Sequence, residues 1–390
     1  NNISSYLNNQ IYNLIKDINT ADNGKLEQYV VEPTYSNNSI NISLKSDVGL
    51  YKFKSTSLSN IIITSNKISL NFITLFTPPT PSPTTWFTWN GTQITGLSKQ
   101  GSEQKKLVLP EITTKVADNA FSGKSIISFD ASISKINSIG NSAFKNCSNL
   151  NFVKLPITLI SINNFAFGGC SSLKSFEMPD SVTGIGESIF ENCTSIASVK
   201  LSNKLTSIPS HCFYGCSVLV SVNIPPSLTS IGVSSFELCS LIKNINLPST
   251  LKTLGERVFT SCYELQSIVI PDGVIKIPDR AFMDCHKITS ISIPNSVTII
   301  ETYAILRCYE LVNVNIPNNL TTLMSYNFMD CWKVKSLTLP NSLKQIGQYC
   351  FARDSNKQPL ENIVIYVNSN LVEDLVKSVF SGTLINLSKN

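Results

Sequence analysis

The chain has 390 residues, 42% hydrophobic and only 15% charged, a balance that excludes intrinsic disorder and fits an ordered, β-rich protein. Its net charge of +5 is small for this length and scattered without a basic stripe, so nucleic acid is not an expected partner. No run of about 18 apolar residues occurs, and Asn1 and Asn2 open the sequence without the charged start and apolar core of an export signal. It therefore reads as a mature chain whose export signal or lipid anchor would lie upstream.

In residues 3–18, Ile3, Leu7, Ile11, Leu14, Ile15 and Ile18 fall at helical spacing and predict one amphipathic helix. Its polar face carries only Lys16 and Asp17 as charges, so packing on a sheet is expected rather than lying on a membrane. After Gly24, alternating runs at Gln28 to Val31, Ser39 to Leu44, Leu50 to Lys54, Asn60 to Thr64 and Ile68 to Phe76 predict an antiparallel sheet. Residues 1–76 are thus expected to form a small α+β domain. Residues 77–85, TPPTPSPTT, hold four prolines in nine positions and predict an extended, semi-rigid linker.

Residues 86–390 form the second predicted domain. Trp86 to Ser98 reads as a hairpin turned at Asn90-Gly91, expected to cover the open edge of the first coil of a repeating array. From Cys147 to Cys331, nine cysteines recur every 23 residues, and the columns around them are nearly uniform. Three residues on stands an aliphatic, as at Leu150 and Leu265. Six and eight on stand apolar residues, as at Val153 and Leu155, and the ninth is Pro in all but one repeat, Ser202 being the exception. Further apolar columns pass through Leu159 and Ile162, and each repeat closes on an aromatic column running from Phe167 to Phe351, with Ile305 as its one gap.

A fixed period of this length marks a solenoid, because one unit cannot bury its apolar face until neighbours stack on it. Alternation around the sixth and eighth positions predicts a parallel strand with one buried face, and the proline, lacking an N–H, ends it. Leu107, Leu109, Pro110, Val116, Ala120 and Phe121 fit the repeat before any cysteine appears. The next coil departs: Lys124 takes the cysteine position, and Phe129, Ala131 and Ile133 sit one residue off, which predicts a local register slip or bulge. At the far end Asp354 replaces cysteine, extra residues precede Leu360, and Asn370 to Phe380 predicts a capping helix.

The spacing and consensus, as in AFGGCSSLKSFEMPDSVTGIGESIFENC, resemble the BspA-type leucine-rich repeat over roughly residues 101–366. The resemblance implies a right-handed, mainly β leucine-rich-repeat solenoid with a parallel sheet. Members of that family are mostly secreted or surface-exposed. The resemblance therefore implies an extracellular or cell-surface protein that binds a host or neighbouring-cell protein or glycan. The first domain loosely resembles a module of Mollicute surface lipoproteins.

Eleven cysteines raise the prospect of disulfides. Identical positions in stacked coils point the same way into the core, so a reduced ladder of small buried thiols is expected instead. With only His211 and His286 and no convergent ligands, no metal site is expected, and no cofactor. No phosphate loop, HExxH or nucleophile elbow appears, so an enzyme is not expected.

Candidate binding residues lie where the repeat departs from itself. The position after the cysteine is Ser or Thr from Ser148 to Ser240 and then becomes Tyr263, His286, Tyr309 and Trp332, which predicts an exposed aromatic column. Beside it, Glu264, Lys287, Glu310 and Lys333 alternate in sign, as do Asp284, Arg307 and Asp330. Stability and the fixing of coil register adequately explain this charge ladder. A second candidate is the polar face of the main sheet, with Lys200, Asn223, Asn246 and Asn315 in one column. The expectation is a monomeric adhesin-like binding protein, with a structural or antigenic coat protein as the alternative.

Overall fold

The structure, a computed structural model, describes residues 34–36, 39–43, 61–64, 67–71, 82–353, 363–379 and 386–389. The chain divides into two units, Asn1–Thr80 and Pro81–Asn390.

Among the described residues of the first unit, four strands form one antiparallel sheet. Thr34–Ser36 pairs with Ser39–Ser43, which pairs with Lys67–Asn71, which in turn pairs with Ile61–Thr64. Three of these match expected runs, and Thr34–Ser36 was not expected. The predicted helix over 3–18, the runs at 28–31 and 50–54 and most of the linker lie outside the described residues.

The second unit is a solenoid whose coils have three hydrogen-bonded sides. On the first side, strands such as Ser175–Glu177 and Ser198–Lys200 pair in parallel with a shift of one repeat, Phe176 opposite Val199. The middle side chain turns inward and is buried, while its neighbours face water. The proline then ends the strand and starts a turn in which its carbonyl accepts from the amide three residues on, 3.0 Å at Val182 to Pro179 and 3.1 Å at Leu343 to Pro340.

The second side, absent from the sequence expectation, is a ladder of two-residue strands such as Ser161–Ile162 and Gly184–Ile185. Its inward aliphatics run from Val116 to Ile346. On the third side alternate amides reach the next coil, as from Phe144 to the Ala166 carbonyl at 2.8 Å and from Asn146 to Gly168 at 2.7 Å, while those between them close local turns, as from Lys145 to Ser142 at 3.1 Å. Backbone groups are therefore satisfied all the way round, as a buried backbone requires.

The third side turns through two left-handed residues per coil. One column runs from Asn119 (φ 57) to Tyr349 (φ 60), the other from Gly123 (φ 68) to Asp330 (φ 57), immediately before the cysteine position. Between them lies the aromatic column, whose rings from Phe121 to Phe282 stack at 5.0 to 6.1 Å. The stack is interrupted at Ile305 and resumes with Phe328 on Phe351 at 5.9 Å.

All eleven cysteines are free thiols and buried. Each of the nine in register donates to the carbonyl of the aromatic-column residue 26 positions upstream, at 2.9 to 3.3 Å, from Cys147 on Phe121 to Cys331 on Ile305. Burial pushes the Cys147 and Cys193 thiols up to about 12. They remain protonated donors rather than nucleophiles.

The hairpin Phe87–Asn90 and Gln93–Leu97 forms as expected, with Gly91 in the left-handed region (φ 61) at its turn. It extends the second sheet, Ile94 beside Val116. The main sheet instead starts at Lys106–Val108, where Ser82 alone meets both Val108 backbone groups, at 2.9 and 3.0 Å. Gly101 holds the first coil's cysteine position because a Cβ there would stand 1.8 Å from the Trp86 carbonyl oxygen.

The expected slip in the next coil is present. Phe129 pairs with Leu107 and with Val153, so the strand runs one residue early, and Ile136 and Ile139 are back in register. Asp130 absorbs the change by accepting from the Ser132 amide at 2.8 Å, a local turn. At the C-terminal end Val364–Val367 and Asn386–Lys389 add to the main sheet beside Ser336–Leu339, and the expected helix spans Asn370–Val379.

Candidate ligand-binding surfaces

The aromatic column is built by the backbone beneath it. The left-handed residue before each cysteine and the thiol bond behind it fix the turn, so the next side chain leaves each coil at the same place. Successive coils are tied there by amides of Lys287 and Glu310, which donate to the Tyr263 and His286 carbonyls at 3.1 and 3.2 Å. The rings consequently stack: Tyr263 on His286 at 4.9 Å, His286 on Tyr309 at 4.6 Å and Tyr309 on Trp332 at 4.5 Å, within 25° of parallel.

All four predicted column residues therefore come together. Tyr263 is 37% exposed and Trp332 55%. His286 and Tyr309 have both ring faces covered by column neighbours, so their edges are what remains for contact. The charges beside them pair coil to coil: Lys287 with Glu264 at 2.6 Å, Lys333 with Glu310, and Arg307 with Asp284 at 3.3 Å. Asp284 also lies 3.7 Å from His286, and Trp332 donates its indole N–H to Asp330 at 3.3 Å. Exposed pairs of this kind contribute about 0.2 to 1 kcal/mol each.

The predicted polar face distributes its residues differently. Lys200 is paired with Glu177 at 2.6 Å. Asn223 uses its side-chain amide as a strand would use its backbone: its oxygen accepts from the Leu201 amide at 2.6 Å and its nitrogen donates to the Leu201 carbonyl at 3.1 Å. Asn315 repeats this on Ile293, accepting at 2.9 Å and donating to the same residue's carbonyl. Both extend a ladder where regular pairing has ended. Asn246 is exposed, and Val269, 67% exposed, stands beside it in the column.

A second aromatic column was missed at the sequence level. Tyr303 stacks on Tyr326 at 4.6 Å and Tyr326 on Tyr349 at 5.3 Å, with the Arg280 guanidinium 4.8 Å from the Tyr303 ring. All four occupy the left-handed column five residues before the cysteine position. The same 23-residue spacing carries the signal there. Among the described residues no group of His, Cys, Asp and Glu could hold a metal ion, and no helix is long and apolar enough to cross a membrane.

Comparison with known proteins places these columns in a family setting. The profile of the BspA type leucine rich repeat region matches in six copies, over residues 99–197, 137–266 and 275–389. Among solved structures, a leucine-rich repeat protein of T. pallidum is 29% identical with a TM-score of 0.44, over 47% of this chain and 90% of that one. A leucine rich cell surface protein from Faecalibacterium prausnitzii is 21% identical with a TM-score of 0.48, covering 78% and 92%. The pneumococcal vaccine antigen PcpA is 18% identical with a TM-score of 0.43, covering 93% and 99%. No curated protein matches the chain.

Proposed function

Because the chain belongs to the BspA-type leucine-rich repeat family, we propose that it is a non-enzymatic, cell-surface or secreted recognition protein. Its aromatic column docks a protein on a host or neighbouring cell. The observation that carries this reading is the Tyr263, His286, Tyr309 and Trp332 stack, with Trp332 more than half exposed. The two inner rings, His286 and Tyr309, offer a narrow apolar strip of edges rather than open faces. Such a strip suits burial against a protein, where aromatic anchors carry most of the binding energy, better than it suits a sugar that needs a free ring face. The coil-to-coil ion pairs beside the strip hold it rigid, which lowers the ordering cost of contact.

The test is surface plasmon resonance of the intact chain, and of a Tyr263→Ser, His286→Ser, Tyr309→Ser, Trp332→Ser variant, against extracellular-matrix and cell-surface proteins. Saturable binding that weakens about thirtyfold or more in a variant with unchanged circular dichroism is expected, since anchors of this type contribute about 2 kcal/mol or more. Equal binding by both chains moves recognition off the column. No binding at all, together with self-association in sedimentation velocity, favours the structural or antigenic coat protein instead.

A further inference from the structure

The exposed face of the main sheet ends in a groove of 570 Å³ that runs across Val314 to Asn318, Ser336–Leu339 and the paired strand Val364–Val367, where Thr338 stands in register with Tyr366. That volume falls in the range of small-ligand sites, roughly 300 to 1,000 Å³. No lining residue is charged. Asn315 is committed to the Ile293 backbone, and the Ser342 hydroxyl donates to the Asn318 and Leu320 carbonyls, both at 2.7 Å. The Thr338 and Tyr366 hydroxyls and the Asn341 and Asn368 amides take no hydrogen bond from the described residues. Asn341 stands in the turn closed by the Pro340 carbonyl and the Leu343 amide at 3.1 Å, so its position is set by the coil.

We propose that this groove is a binding site for a neutral carbohydrate. One pyranose ring lies against the Tyr366 ring while its hydroxyls meet Asn341, Asn368 and Thr338. The chemistry selects this ligand class on three grounds. An unpartnered amide offers a donor and an acceptor side by side, matching adjacent sugar hydroxyls that both give and accept. A single aromatic ring among amides and hydroxyls supplies the apolar surface on which the C–H face of a sugar packs. The absence of charge in the lining leaves nothing to compensate a carboxylate, sulfate or phosphate, whose desolvation would oppose entry. Unlike the inner rings of the aromatic column, Tyr366 neighbours Thr338 in the sheet, not another ring. The proposal uses none of the residues of that column and stands whether or not the column binds a protein.

The experiment is saturation-transfer-difference NMR on the intact chain with neutral disaccharides (lactose, maltose, cellobiose and chitobiose) and with sialyllactose as the charged comparison. Titration then gives the affinity. Transfer to at least one neutral disaccharide is expected, strongest at the C–H protons of one ring face. A Tyr366→Ala chain and an Asn341→Ala, Asn368→Ala chain should each lose about tenfold in affinity. The exposed asparagines keep the test decisive if Tyr366→Ala fails to fold. Absence of transfer to all four neutral disaccharides, binding of sialyllactose alone, or unchanged affinity in the double asparagine variant overturns the assignment.

Discussion

The coils from Cys147 to Cys239 and those from Cys262 to Cys331 share one backbone and one interior, yet they fill the same two surface positions by different rules. In the first group the left-handed residue before the cysteine is Asn146, Gly169, Asn192, Gly215 and then Leu238. The first four suit that conformation, since Gly carries no Cβ and Asn tolerates it. They also interlock: a Cβ on Gly169 would stand 2.3 Å from the Asn146 side-chain oxygen. The residue after the cysteine is small, and its hydroxyl can reach the same position of the preceding coil, as where Ser171 donates to the Ser148 carbonyl at 3.4 Å.

In the second group the left-handed residues include Asp284, Arg307 and Asp330, and the residues after the cysteine are stacked rings. A non-glycine residue such as Arg307 (φ 55) costs about 1 to 2 kcal/mol there. Its guanidinium pairs with Asp284 at 3.3 Å. Backbone ease is given up in this half for side chains that line and brace the aromatic strip. The interior sets the architecture, and these two columns carry the difference between the two groups.

The sharpest way to break the comparison is alkali, which acts on what both halves share. Burial raises ten of the thiols, Cys350 for example to about 12. In the unfolded chain a thiol titrates near 8.5. Above that pH the unfolded state sheds protons that the native state retains, so the stabilisation present below about 8.5 is lost as pH rises towards the folded value. Each thiol that stays protonated in the native state removes up to about 1.4 kcal/mol per pH unit in that window. Urea unfolding near pH 7 and near pH 10, followed by circular dichroism, should show both groups of coils lost together at the higher pH. An unchanged midpoint would contradict it.

Next in size are Phe213→Ala and Phe259→Ala, one from each group. Phe213 stacks between Phe190 and Phe236 at 5.6 and 5.2 Å, and Phe259 between Phe236 and Phe282 at 5.6 and 5.7 Å. Each is expected to cost about 3 to 5 kcal/mol in chemical denaturation. A clearly smaller loss at Phe259 would mean that the surface aromatic strip, not the interior, carries the second group. The smallest effect separates the two filling rules. Leu238→Asn places the residue of the first group's pattern at a left-handed position (φ 64) and should raise stability by about 1 kcal/mol. No change in the unfolding midpoint would show that backbone strain at Leu238 is already offset by packing.

The repeat made much of this legible. A column read at one coil could be checked at the others, so the cysteine ladder, the aromatic stack, the slip at Phe129 and the Tyr263 to Trp332 strip all follow from spacing alone. The second sheet did not, because strands of two residues such as Ser161–Ile162 are too short to show alternation. The Asn223 and Asn315 amides were read as free surface groups, and their backbone role depends on where regular pairing stops. Tyr366 escaped for a different reason: it pairs with Thr338 across 28 residues, 5 more than the period of 23. Column reading cannot place a residue beyond such an insertion.

The thiol ladder has a direction, since every cysteine in register bonds to a carbonyl already laid down in the preceding coil, 26 residues earlier. During synthesis at about 5 to 20 residues per second, a repeat leaves the ribosome every few seconds. Each finds its acceptor in place, starting from the hairpin that opens the second unit. Assembly can therefore keep pace with translation, and a nascent chain exposes little more than one unfinished coil at a time.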